Sequence, residues 1–511
     1  MIRLFQVVSA LALLGAAACT SPYPVADLRD EEGISPAAPV FDPAAPGAER
    51  LLVVTMSGGG KRAAALAQGA LNGLAATTLP DGRTMLDEID VLSSTSGGSV
   101  TAARFALRGK DGFDEYRRKF LLLDVMPRLY WRLLNPVSFV RNVFIRNNRI
   151  EPLVDLFEEA VFAHATLGDV WQRPNAPYLI LNATDIASGL TFSMTQPYFE
   201  LLCADARPYP LARAVAASAA FPVALSPVTL ENRSAASPEC PRRQSLASYL
   251  DRRLQVDPGD PGAAAAPDDA AGRGWALRNS RLFDGEVKYV HLYDGGIADN
   301  LGLSEPLRMM SSAFRGNPYY LPLRDGPITD LTVLAVDARS NNEPDFEQNE
   351  TAPGMLSTLL SVIGGTIDSR TSGLTVQASL LQSRGEEINM GRCFSAGVDR
   401  ERESCLAAAK AGRYKRLEST AIVAGFDNLR DKTCRRAFAE LPTDWALSGR
   451  EVDALLALGE GLVMGDPRYQ ELATRAGTGH SQKEMEQRGN AKIAQACACI
   501  RAPDASCPQA K

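Results

Sequence analysis

Two stretches of this chain make the same abrupt change of period. "LLVVTMSGGGKRAAALAQGA" is apolar from Leu51 to Met56, breaks at Gly58 to Gly60, and continues in small residues that fit a helix over about 61–75. "IDVLSSTSGGSVTAARFAL" repeats the pattern, with a strand at 89–93, a turn at 94–98 and a helix over about 99–107. Runs of this kind read as strands buried on both faces, which is the habit of parallel sheets. Later segments fit the same scheme. "YLILNATDIASGLTFSM" at 178–194 reads as a hairpin, "LARAVAASAAFPV" at 211–223 as a helix stopped by Pro222, and "VKYVHLYDGG" and "DLTVLAVDA" as strands, the first ending at Asp294. Strands alternating with helices predict an α/β fold with a mostly parallel sheet covered on both faces.

The 511 residues are 45% apolar and 22% charged, which suits one large domain with an accessory part. A net charge of −6 gives no field that favours nucleic acid. Residues 1–18 read as a signal peptide, with Arg3, an apolar run from Leu4 to about Leu14, and small residues after it. "AAAC" resembles a bacterial lipoprotein signal, which would lipidate Cys19 and place the protein in the outer membrane. An ordinary cleaved signal, leaving a secreted or periplasmic protein, is the other reading. Residues 19–48, rich in Pro, Ala and Asp, read as a tether, and 234–274 as a loop insertion. The main domain is expected over 49–400, followed by a helical, Cys-rich C-terminal extension over 401–511. Beyond Cys19 there are eight cysteines, and no spacing suits a metal, so structural disulfides are expected rather than zinc.

The first junction leaves backbone N–H groups bare at a helix N-terminus, which is a site for a phosphate or for a developing oxyanion. It is not a dinucleotide fingerprint, because Ala63 stands at the fourth glycine position, and no Gly-Lys-Ser/Thr follows at P-loop spacing. No cofactor or metal is therefore expected. The second junction, "SSTSGGS", nearly spells G-x-S-x-G, with Ser94 in place of the first glycine. Ser96 has the strand–turn–helix setting of a nucleophile, and Gly98 stands where backbone must approach closely. A serine needs a base. The chain has only His164, His291 and His480, none in a hydrolase motif. Asp294, ahead of two glycines at the end of a strand, is the other base, because ligands of open α/β sheets bind beyond strand carboxyl ends.

Together "SGGGKR", "STSGGS", "AVAASAAFPVALSPV" and "DGGIADN" resemble the patatin-like phospholipase family over roughly residues 50–340. The resemblance implies a three-layer α/β/α fold and a Ser–Asp dyad, with Ser96 as nucleophile and Asp294 as base. It makes Gly58, Gly59 and Gly60 the oxyanion-hole donors and Arg62 the supporting basic residue. Ser94 departs from the pattern and must fit beside the turn.

Residues 104–149 hold eleven Lys and Arg against four Asp and Glu, interleaved with aromatics. The stretch reads either as helices packing on the core or as a lipid-facing cap, with Trp131 and Arg132 at a membrane face. The expected activity is a lipid acyl hydrolase, of phospholipase A or lysophospholipase type, acting on phospholipid at a membrane surface. A carboxylesterase or thioesterase on soluble esters, and a non-catalytic envelope lipoprotein, are the alternatives.

Overall fold

Along Arg50–Met56 (β2) side chains alternate between two buried environments: Leu52, Val54 and Met56 enter one apolar cluster, and Leu51 and Val53 the other. Ile89–Thr95 (β3), Tyr178–Asp185 (β4) and Asp330–Asp337 (β9) do the same, so the sheet is covered on both faces. The structure is a computed structural model. It describes residues 22–28, 41–134, 149–222, 225–234, 286–311, 319–339, 381–398, 401–443 and 445–501, with positions 240, 275, 278–282 and 507.

The main sheet follows the order β10-β9-β2-β3-β4-β8-β7, where β7 is Val228–Glu231, β8 is Tyr289–Asp294 and β10 is Glu418–Gly425. Strands β10, β9, β2, β3 and β4 are parallel; β8 and β7 are antiparallel, and β5 (Leu190–Ser193) pairs antiparallel with β4 as the expected hairpin. One face carries the helices Gly60–Ala75 (α1), Gly97–Arg108 (α2), Leu211–Ser218 (α4) and Gly449–Met464 (α8). The other carries Ser304–Ser311 (α5) and Leu381–Ser395 (α6). This is the three-layer α/β/α arrangement, with a mixed central sheet.

The chain after residue 400 is not a purely helical extension. β10 is the parallel edge strand next to β9, and α8 packs on α1 through glycines. A Cβ on Gly459 would collide with the carbonyl oxygen of Leu66, and one on Gly69 with that of Leu456. The strand is hard to read because "ESTAIVAG" opens on three polar residues and then runs in mostly small ones without alternation. Four disulfides join Cys203 to Cys240, Cys393 to Cys405, Cys434 to Cys497 and Cys499 to Cys507. The Cys434–Cys497 bond ties Lys432–Ala439 (α7) to Gln482–Arg501 (α9).

Part of the expected tether lies on the domain instead. Ala26–Asp27 (β1) pairs with Ala204–Asp205 (β6), Tyr23 N–H donates to the Thr229 carbonyl at 2.9 Å, and the Arg213 guanidinium stands 4.0 Å over the Tyr23 ring. Val25 and Leu28 are buried there. Residues 1–18 and Cys19 lie outside the described residues, as do 135–148 and all of 234–274 except Ser234 and Cys240. Val125–Leu134 (α3) buries Val125 and Leu129 and exposes Trp131 to 65%. The side chain of Arg132 is outside the described residues. Among the described residues no helix is long and apolar enough to cross a membrane.

Gly459→Ala is expected to cost about 1–3 kcal/mol by overpacking α1 against α8. Urea denaturation measures it. Unchanged or raised stability, as alanine's better helix propensity alone would give, contradicts the backbone contact.

Candidate active site

β3 ends at Thr95 and α2 begins at Gly97, so Ser96 alone makes the turn, with φ 50° and ψ −120°. A non-glycine residue there costs about 1–3 kcal/mol and persists only if its surroundings hold it. One hydroxyl does much of the holding. Ser218 Oγ accepts the Ser96 N–H at 2.9 Å, lies 2.9 Å from Ser99 Oγ, and donates to the Asn182 carbonyl at 2.5 Å. Its one proton goes to Asn182, so Ser99 is the donor in the second contact, and both lone pairs are used. Ser218 is the last residue of α4, which ends before Pro222 because the chain beyond it serves the site. The Ser218 and Ala220 carbonyls accept the N–H groups of Gly295 and Asp294, each at 3.0 Å.

Both elbow glycines are needed. A Cβ on Gly97 would collide with the Gly60 carbonyl, and one on Gly98 would lie 2.6 Å from the Ser57 carbonyl oxygen. Ser94 fits: it is fully buried, and its hydroxyl donates to the Ile180 carbonyl at 3.3 Å.

Register brings Asp294 to Ser96. Thr95 pairs with Asn182 on β4, and the next β4 residue, Ala183, pairs with Asp294 on the other side. β8 is antiparallel, so the carboxyl-end rule for parallel strands does not place Asp294; this register does. Ser96 Oγ donates to Asp294 Oδ2 at 2.7 Å, and Gly296 N–H donates to Oδ1 at 2.8 Å. Burial pushes the Asp294 carboxyl up to about 6, against the lowering effect of those two hydrogen bonds. It is still mostly ionised at neutral pH and can accept the serine proton.

The glycine loop is fixed at Ser57, whose N–H donates to the Val336 carbonyl at 3.0 Å and whose Oγ accepts Ala338 N–H at 2.8 Å. Gly58 departs from the expected role. Its N–H is shared by the Asn300 carbonyl oxygen at 3.0 Å and Asn300 Oδ1 at 3.2 Å, so it is committed inside the protein. Gly59, at φ 132°, and Gly60, at φ 56°, open α1, and their N–H groups have no acceptor among the described residues. Arg62 is 1% exposed and donates to the Leu441 carbonyl at 2.5 Å, beside the Phe426 ring. Burial pushes its pKa down to about 10, opposed by the charge of Asp337. It makes no hydrogen bond to Ser96 or Asp294, and it braces the loop from behind.

The histidines are elsewhere. His291 Nδ1 lies 2.9 Å from Thr229 Oγ1, and His164 and His480 each sit beside a glutamate. Among the described residues no group of three His, Cys, Asp or Glu side chains could hold a metal ion. Sequence reasoning left Ser218, Asn182 and Asn300 without a role, although Ser218 and Asn300 lie inside motifs it singled out.

Residues 54–307 match the family model of the patatin-like phospholipases, and no curated protein matches the chain. This part of the chain is a patatin-like phospholipase domain, and it holds Ser96, Asp294 and the glycine loop. β9, β10 and α8 follow the matched stretch.

Ser218→Ala leaves the Ser96 N–H buried without its acceptor, which costs about 1–3 kcal/mol. Thermal and urea unfolding should show that loss. Parent-like stability would mean that the hydroxyl does not hold the turn.

Proposed function

We propose that this protein is a lipid acyl hydrolase of phospholipase A or lysophospholipase type, with Ser96 as nucleophile and Asp294 as its general base. The observation that carries the reading is the 2.7 Å hydrogen bond from Ser96 Oγ to a buried carboxylate in a patatin-like domain. Asp294 takes the hydroxyl proton as Oγ attacks the ester carbonyl. The tetrahedral oxyanion forms at the N-terminus of α1, where the Gly59 and Gly60 N–H groups, without an acceptor among the described residues, can stabilise it. When the intermediate collapses, the C–O bond to the leaving alcohol breaks and Asp294 returns the proton to that oxygen. Water then attacks the acyl-serine as Asp294 takes its proton, the acyl C–Oγ bond breaks to release the carboxylic acid, and Asp294 returns the proton to Ser96 Oγ.

A lipid surface is favoured over small soluble esters by α3. Buried Val125 and Leu129 anchor this helix, while Trp131 stands 65% exposed and Leu122, just before it, 38% exposed. Tryptophan at that exposure, in a basic segment, suits the interface of an anionic membrane.

Ser96→Ala should abolish hydrolysis of a phospholipid substrate and labelling by a fluorophosphonate, and Asp294→Asn should slow turnover by about 10²–10⁴-fold. Near-parent turnover in either folded variant would sink the dyad. The base must be ionised, so kcat/KM should fall as pH drops through about 6 and level off above it. A limb near 4 would mean that burial does not perturb Asp294. Separately, Trp131→Ala should weaken sedimentation with phosphatidylglycerol vesicles several-fold. Unchanged binding would remove this helix from the membrane face.

A further inference from the structure

The unexpected bond of Gly58 draws attention to the residue that makes it. Asn300 ends the motif "DGGIADN" and is 7% exposed. Its orientation is set by chemistry. Oδ1 faces the Gly58 N–H, and a flipped amide would set a donor against a donor. Nδ2 is therefore directed away from the glycine loop's N–H. It has no hydrogen-bond partner among the described residues, yet it is not sealed from solvent.

Two glycines locate this amide. A Cβ on Gly58 would lie 2.5 Å from Asn300 Oδ1 and 3.2 Å from Ser96 Cβ. A Cβ on Gly296 would lie 2.9 Å from Asn300 Oδ1 and 3.1 Å from Asp294 Oδ1. The amide thus flanks the same glycines as the proposed nucleophile and the proposed base. The amide N–H₂ beside these glycines has no acceptor among the described residues and is open to solvent, so it is available to donate to a bound ligand.

We propose that Asn300 is a further catalytic residue: Oδ1 holds the glycine loop, and Nδ2 donates to the oxygen of the bound ester as charge develops on it. It takes the place in the donor set that the Gly58 N–H gives up. This rests on the reading that Ser96 attacks an ester. The side chain also couples two parts of the site, because the loop that carries the oxyanion donors and the turn that carries Asp294 share one amide.

The test compares Asn300→Asp with the parent on a short-chain phosphatidylcholine. Aspartate keeps an acceptor for Gly58 N–H, so the loop stays in place, but it removes the donor and adds a charge beside Asp294. Two effects are expected. The acid limb of kcat/KM moves above about 6, because a second carboxylate disfavours ionisation of the first. At pH 9, where both are ionised, kcat remains lower by about 10²-fold with KM nearly unchanged, which is the mark of a donor used in the transition state. Asn300→Ser removes Nδ2 without adding charge, while the main-chain carbonyl at position 300 still accepts the Gly58 N–H; it should show the same loss of kcat at pH 9 with no shift of the limb, and it serves if the aspartate variant does not fold. Parent-like kcat at pH 9 in a folded variant would overturn the role of Nδ2 and leave the dyad standing. Turnover that survives Ser96→Ala would overturn the dyad and this proposal with it.

Discussion

The site depends on one contact between two turns. β2 and β3 are neighbours in the sheet, and each runs directly into a helix. The two turns must therefore share one small space. They do so backbone to backbone, with Gly97 against the Gly60 carbonyl and Gly98 against that of Ser57. No side chain fits between them. This closeness places the N-terminus of α1 beside Ser96, and the strain at Ser96 is tolerated because Ser218 and Ser99 hold its flanks. Two helices beginning at nearly the same point thus set Ser96 beside the glycine loop, and the β4–β8 register adds Asp294.

The matched domain does not hold this arrangement by itself. Ser57 is fixed by Val336 and Ala338, and Arg62 by Leu441. All three partners lie after residue 307, where the family match ends. Helix α1, which opens at Gly60, packs on α8, again through glycines. The C-terminal part therefore sets the position of the glycine loop as firmly as the domain that contains it. The cost is a fully buried guanidinium whose Nε has no partner among the described residues.

Ser96 and Asp294 were legible as candidates because each carries a local signal, a strand, small-residue turn and helix for the first and Asp-Gly-Gly after a strand for the second. Each signal alone also fits an ordinary turn, and their occurrence together with the glycine loop singled the two residues out. What was not legible is what depends on pairing. That Gly58 donates to Asn300 needs a contact across 242 positions of chain. Ser218 looked like one more small residue in a helix, because nothing local shows that its hydroxyl meets Asn182, Ser96 and Ser99. β10 was missed for a similar reason: an edge strand is chosen by its neighbour, here β9, more than by its own alternation. Residues 22–28 read as a tether by composition, yet they are ordered by distant partners, β1 by β6 and Tyr23 by Thr229 and Arg213.

The late position of Leu441 and α8 bears on when the protein can act. A ribosome releases Ser96 and Asp294 well before the residues that brace the glycine loop. Until those last segments add the edge strand and close the Cys434–Cys497 bond, α1 lacks the helix it packs on. The half-made chain thus carries Ser96 and Asp294 before the glycine loop beside them is braced. A site built this way is completed last, when the segments that brace its glycine loop are in place.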